Sequence, residues 1–122
     1  LMRIGKLDRA KKELQALWET KQVDEISLYS ITGEWNRLKG NFKMAKQWFL
    51  KVLGINRTLF ALSRLGATLR ALRDFDEAKL VLREALSLQI DDPFAVQELR
   101  EVARDAAGGW GPPRQSATSV FE

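Results

Sequence analysis

The side chains this chain could use for chemistry are carboxylates, lysines and arginines, because its 122 residues include neither cysteine nor histidine. Those absences exclude cysteine nucleophiles, Ser-His-Asp relays, disulfides and almost every zinc arrangement. An acid–base pair would have to be something like Asp91-Asp92, but that pair stands in a link before Pro93, where acids resemble helix caps more than a catalytic dyad. No catalytic residue, cofactor or metal ligand is assigned, and the chain is read as a non-enzyme. Lys11, Lys12, Lys39, Lys43, Lys46 and Lys51, with Trp18 and Trp48 nearby, offer a different chemistry. Basic residues interleaved with aromatics can follow a phosphate backbone and stack bases. Here the tryptophans fall on or beside apolar helical stripes, and lysines at helical spacing form a solvated face. Nucleic acid is therefore the weaker reading.

What positions these residues is a repeat. Ala10, Ala45 and Ala78 recur at intervals near 34 residues, in the phrases GKLDRAKKEL, GNFKMAKQWF and RDFDEAKLVL. A unit that cannot bury its own apolar face must stack on its copies, which predicts an all-α, right-handed solenoid of helical hairpins. With 45% apolar residues, the chain has enough core for one domain. No apolar run approaches the roughly 18 residues that span a membrane, so no membrane insertion is expected. A cysteine-free chain leaves the compartment open; a cytoplasmic location is expected, with any targeting segment outside this sequence. The charge is uneven: the formal net charge is +4, and the basic surplus lies in the N-terminal half.

The apolar periodicity sets the elements. A first helix over about Leu7 to Lys21 carries Leu7, Ala10, Leu14, Leu17 and Trp18 on one face. The helix that would pair with it is missing, which reads as a piece cut from a longer protein; the alternative is a face that seals a homodimer. Helices are then predicted from Asp24 or Ser27 to Lys39, Phe42 to Leu53, Thr58 to Leu72, Asp76 to Leu88 and Phe94 to Ala106. Gly40-Asn41 breaks the first pair, Gly54 to Arg57 links the units, and Pro93 suits a first helical turn. Gly66 falls in mid-helix, so close approach of the paired helix is expected there. The last helix is a cap, with Phe94, Val96, Leu99, Val102 and Ala103 on one side. The domain layout is thus a partial repeat at 1–22, repeats at 24–57 and 58–91, a capping helix at 93–107 and a flexible tail at 108–122.

The series Leu65, Gly66, Leu69, Phe75, Ala78, Leu82, Ala85 is similar to the tetratricopeptide repeat. Gly33, Gly40, Phe42, Ala45, Phe49 and Val52 fit the same pattern, with Thr32 and Asn36 departing from it. Gly5, Leu7, Ala10, Leu14 and Leu17 match a second helix alone.

That resemblance implies a protein-interaction module whose first helices line a concave groove for an extended peptide or a partner helix. Carried over residue by residue, the groove positions are Ser30, Glu34 and Arg37 from the first full unit, with Ser27, Ile31 and Leu38. The second unit gives Phe60, Ser63, Arg64, Ala67 and Arg70, with Ala71, and the cap adds Gln97, Glu101 and Arg104. The family's clamp for chaperone tails needs a lysine and an asparagine where this chain has Ser30 and Glu34, so such tails are not the expected ligand. Arg37, Arg64, Arg70 and Arg104 against Glu34 and Glu101 suggest a modestly positive floor. Arginine grips carboxylates through paired hydrogen bonds, and an acidic segment is the expected partner. Phe60 is either an anchor for that partner or a side chain folded onto the next helix. Self-association through the open first helix and the apolar tail residues Trp110, Val120 and Phe121 is the alternative function.

Overall fold

The computed structural model describes residues 2–20 and 23–108. Every regular element among them is an α-helix: α1 (Met2–Thr20), α2 (Glu25–Lys39), α3 (Phe42–Ile55), α4 (Leu59–Ala71), α5 (Phe75–Leu88) and α6 (Pro93–Ala106). Neighbours pair as hairpins, α2 with α3 and α4 with α5, and α6 lies against both helices of the second hairpin. The result is an all-α solenoid closed by a capping helix.

Local chemistry sets the helix ends. The Asp24 carboxylate accepts the Ser27 N–H at 2.6 Å, Thr58 Oγ accepts the Ala61 N–H at 3.1 Å, and Asp92 accepts the Ala95 N–H at 2.9 Å. Each satisfies an amide that the helix itself leaves unpaired. Of the two candidates for the α2 cap, the structure uses Asp24. Gly40 ends α2 at φ 89°, and its N–H returns to the carbonyls of Arg37 and Asn36. At the matching place in the second hairpin stands Arg73, with φ 69°. That left-handed conformation is held by Arg73 N–H to the Arg70 carbonyl at 3.0 Å and Asp74 N–H to the Leu69 carbonyl at 2.9 Å.

Several boundaries differ from the sequence expectation, α4 (Leu59–Ala71) and the start of α6 at Pro93 by one residue. Helix α1 begins at Met2 rather than near Leu7, running through Gly5, whose cost in a helix of about 1 kcal/mol relative to alanine does not stop propagation between good helix formers. Helix α3 continues through Gly54 to Ile55, so the link between the hairpins shrinks to Asn56, Arg57 and Thr58. Phe75 belongs to α5 rather than to the turn before it.

The core is built from α3 and α5, the second helices of the hairpins, and the faces of α4 and α6 packed against them. Ala45, Phe49, Val52, Ala78, Leu82 and Ala85 are completely buried, as are Leu62, Ala95 and Val102. A side chain at Gly33 would place its Cβ 2.8 Å from Phe49 Cε1, and one at Gly66 would meet Leu82 at 2.4 Å. The two glycines lie 33 residues apart, at the same place in each hairpin, and each is the hole that receives a large knob from the paired helix. The close approach expected at Gly66 is therefore present. Buried Thr32 and Asn36 replace apolar residues of the pattern without leaving polar groups stranded. Thr32 Oγ donates to the Leu28 carbonyl at 2.7 Å and accepts from Trp18 Nε1 at 3.0 Å, while Asn36 Nδ2 donates to the Thr32 carbonyl at 2.9 Å.

Candidate partner-binding groove

Helices α2, α4 and α6 bring Glu34, Arg37, Phe60, Arg64, Phe94 and Arg70 together. Glu34 binds Arg37 through two hydrogen bonds, at 2.8 Å to Nε and 2.7 Å to Nη2. This fork raises the Arg37 pKa above its ordinary value, with burial working in the opposite direction. The Arg64 guanidinium lies 4.6 Å from the Phe60 ring centre and 3.7 Å from that of Phe94. Its Nε is 3.6 Å from Glu34, too long for a hydrogen bond, and this buried atom has no hydrogen-bond partner. Burial between the rings pulls the Arg64 pKa below its ordinary value, against the attraction of Glu34. The ring faces offset part of that desolvation through cation–π attraction. Arg64 is thus held against two rings and only partly satisfied.

The other arginines are committed to neighbours. Arg70 reaches from α4 to α6, bonding Glu98 at 2.9 Å and Asp105 at 3.0 Å. Its pKa rises despite burial because both carboxylates bond it. Arg104 pairs with Glu101 and lies 3.5 Å from Asp105. Gln97 donates to the same Glu101 carboxylate at 2.8 Å. The positive floor expected from the sequence therefore needs correction. Glu98 and Asp105 bond Arg70 as Glu34 bonds Arg37 and Glu101 pairs with Arg104, so four arginines face four acids. The spacing of Glu98 and Asp105, seven residues apart on the capping helix, was the signal that could have found them.

The remaining expected groove positions divide by burial. Ser63 and Ala67 are buried and present almost no surface; Ser63 Oγ donates to the Phe60 carbonyl at 3.0 Å and accepts from Arg64 Nη1 at 3.3 Å. Small residues here let α2 and α6 close on α4, which is why they do not reach the groove. Ser30 is half-buried and lines a shallow hollow with Ile26, Ser27, Ile31, Thr58 and Phe60. Phe60 is both packed and exposed. Its ring packs edge-on to Phe49 at 6.5 Å, yet 38% of the residue remains exposed.

A second concavity, of about 400 Å³, opens between α1 and α2 and is closed at one side by Phe60. Its walls are the apolar series Ala10, Leu14, Leu17 on α1 and Ile31, Trp35, Leu38 on α2, with Glu13 and Glu34 at the rim. Ile31 and Leu38 are 42% and 59% exposed, and Trp35 Nε1 is buried with no hydrogen-bond partner. Trp18 and Trp48, considered above as base-stacking platforms, pack with Tyr29 into one cluster with ring centres 5.4 to 6.1 Å apart. Lys51 lies 5.8 Å from the Trp48 ring centre and 5.9 Å from that of Tyr29. The tail at 109–122, including Trp110, Val120 and Phe121, lies outside the described residues. Among the described residues no helix is long and apolar enough to cross a membrane, and no cluster of acids is arranged to hold a metal ion.

Comparison with known proteins identifies the architecture. Residues 61–91 match the family described as tetratricopeptide repeat. The fold is similar to the first tetratricopeptide-repeat domain of Spaghetti (RPAP3), solved bound to the HSP90 peptide SRMEEVD. The TM-score is 0.73 at 22% identity, over 84% of this chain and 83% of that one. It is also similar to the Sgt2 tetratricopeptide-repeat domain from Aspergillus fumigatus, with a TM-score of 0.63 at 17% identity, over 94% of this chain and 90% of that one. No curated protein matches the sequence.

Proposed function

We propose that this chain, whose residues 61–91 match the tetratricopeptide repeat and whose fold is similar to that of tetratricopeptide-repeat domains, is a non-catalytic interaction module, part of a larger scaffold or regulatory protein. It holds an acidic segment of a partner protein against α2, α4 and α6. The observation that carries this reading is Arg64. A guanidinium held within cation–π distance of Phe60 and Phe94 and still 23% exposed is a preorganised receiver for a carboxylate on its accessible side, and exposed Phe60 beside it adds apolar contact area. Preorganisation matters because the partner alone then loses conformational freedom on binding. Arg37 and Arg70 support the site differently: their carboxylates are already supplied from within, so they position Glu34 and α6 rather than compete for the ligand.

The heptapeptide held by the Spaghetti domain is acidic, which favours the same class of ligand here. The recognition differs in detail, since Ser30 is half-buried and Glu34 is an anion bonded to Arg37. Neither offers the cation or amide that a chaperone-tail clamp uses, so a carboxylate must be received at Arg64. Glu34 stands 3.6 Å from that arginine and is an internal competitor.

Selection of a phage-displayed library of random twelve-residue peptides tests the proposal. The wild-type chain should enrich sequences rich in Asp and Glu, and Arg64→Gln should lose that enrichment while keeping its helical circular dichroism. Enrichment of the same acidic sequences by both proteins, or no enrichment by either, defeats it.

A further inference from the structure

Between α2 and α4 runs a valley with two unlike recesses that share the Phe60 ring. Toward the N-terminal ends of both helices lies the shallow hollow of Ile26, Ser27, Ser30, Ile31, Thr58 and Phe60, about 340 Å³ in volume. One turn further along α4 stands the Arg64 guanidinium, 4.6 Å from the Phe60 ring centre. Every residue that lines the hollow belongs to α2, to α4 or to the cap of α4, so its shape is set by the two complete hairpins. Its lining is almost entirely carbon, and Thr58 Oγ already accepts the Ala61 N–H. Such a recess favours an apolar side chain over a polar one.

The distance between the recesses specifies what fills them. Phe60 and Arg64 are four residues apart on one helix, a rise of about 6 Å. In an extended chain, residues i and i+2 project to the same side about 6.6 Å apart. We propose that the valley reads an extended acidic segment in which a carboxylate and an apolar side chain stand two residues apart. The carboxylate pairs with Arg64, the apolar side chain enters the hollow across Phe60, and the residue between them points away. This inference rests on the assignment of Arg64 as the carboxylate receiver and adds the second determinant of sequence choice. A helical ligand fits less well. Arg64 Nε lies 3.6 Å from Glu34 of α2, which closes the valley floor to anything wider than a single strand. A helix, about 10 Å across with its side chains, would ride above both recesses.

Two fluorescein-labelled peptides of one composition test the spacing. In GSDSLSDSGS the aspartates stand two residues either side of the leucine; in GSSDLDSSGS they adjoin it. An acid on both sides makes the result independent of the direction in which the peptide runs. By fluorescence anisotropy the first should bind the wild-type chain about fivefold more tightly, the effect of burying roughly half of a leucine side chain. Ser30 is half-buried at the hollow, and the longer side chain of Ser30→Gln should fill it. That variant should bind both peptides equally, at the affinity of the weaker one, with unchanged helical circular dichroism. Arg64→Gln should bind neither. Equal binding of the two peptides by the wild type, or a preference that survives in Ser30→Gln, overturns the spacing and leaves the Arg64 assignment standing. Binding by Arg64→Gln as tight as by the wild type, or no binding of either peptide by the wild type, overturns both.

Discussion

The same phrase is folded three times in this chain, and its third copy is finished where its first is not. In α5, Ala78, Leu82 and Ala85 are wholly enclosed by α4 and α6. In α1, the matching Ala10 and Leu17 remain half-exposed beside a cleft. The burial of a solenoid residue is set by the neighbour that covers it, so equivalent repeat positions are core in one place and half-exposed in another.

The largest test of this contrast is overpacking. Ala78→Trp should lower stability by about 3 kcal/mol or more, because an indole has no room at a wholly buried helix contact. Ala10→Trp should change it by about 0.5 kcal/mol or less, as expected of a site away from the core. Urea unfolding followed by circular dichroism at 222 nm measures both, and equal losses would mean that α1 is as enclosed as α5. Truncation sharpens the point. Leu82→Ala should cost about 3 kcal/mol, within the range for buried leucines that leave a cavity. Leu14→Ala should cost about half as much, because one side of its site already opens on the cleft.

This contrast also marks what the sequence made legible. The helices, the 33-residue spacing and the need for a glycine at 66 followed from apolar periodicity, which reports which face a residue is on. The burial of Ser63 and Ala67 did not, because periodicity does not say how closely the next helix approaches. The groove's charge was misread for a related reason. Glu98 and Asp105 lie off the apolar stripe of the capping helix, and only the packing of α6 on α4 turns them toward Arg70. Charges within one helix can be paired from spacing, as for Glu34 and Arg37; charges between helices require the superhelical arrangement. Likewise, nothing in the sequence shows that the Trp35 indole N–H is left without a partner.

The two complete hairpins differ in their turns, and a smaller effect tests that difference. Gly40 and Arg73 occupy equivalent positions with φ of 89° and 69°. A left-handed conformation costs a residue with a Cβ roughly 1–2 kcal/mol, partly offset in glycine by the larger entropy it loses on folding. Arg73→Gly should therefore stabilise the chain by about 0.5 kcal/mol, after loss of the contact between Arg73 and the Phe75 ring at 4.9 Å. A lower midpoint in urea for the variant would show that this contact outweighs the backbone strain.

The smallest expected effect concerns how each hairpin is tied at its open end. In the second, the Arg57 guanidinium forks onto Glu84, with Nη2 to Oε1 at 2.8 Å. In the first, the equivalent residues are Asp24 and Lys51, with the charges reversed. No such pair forms there: Asp24 is spent on the Ser27 N–H, and Lys51 lies over Tyr29 and Trp48. Hydrogen bonding from Arg57 lowers the Glu84 pKa. A carboxylate with a depressed folded-state pKa contributes stability that is fully present above its unfolded value and is lost as pH falls through the folded one. The wild type should thus lose slightly more stability than Glu84→Gln between pH 6 and pH 3. Both groups are solvent-exposed, so salt screens the attraction, and the difference should shrink in 1 M sodium chloride. Parallel pH profiles for the two proteins at low salt would show that the second hairpin, like the first, is held closed by its buried knob and hole alone.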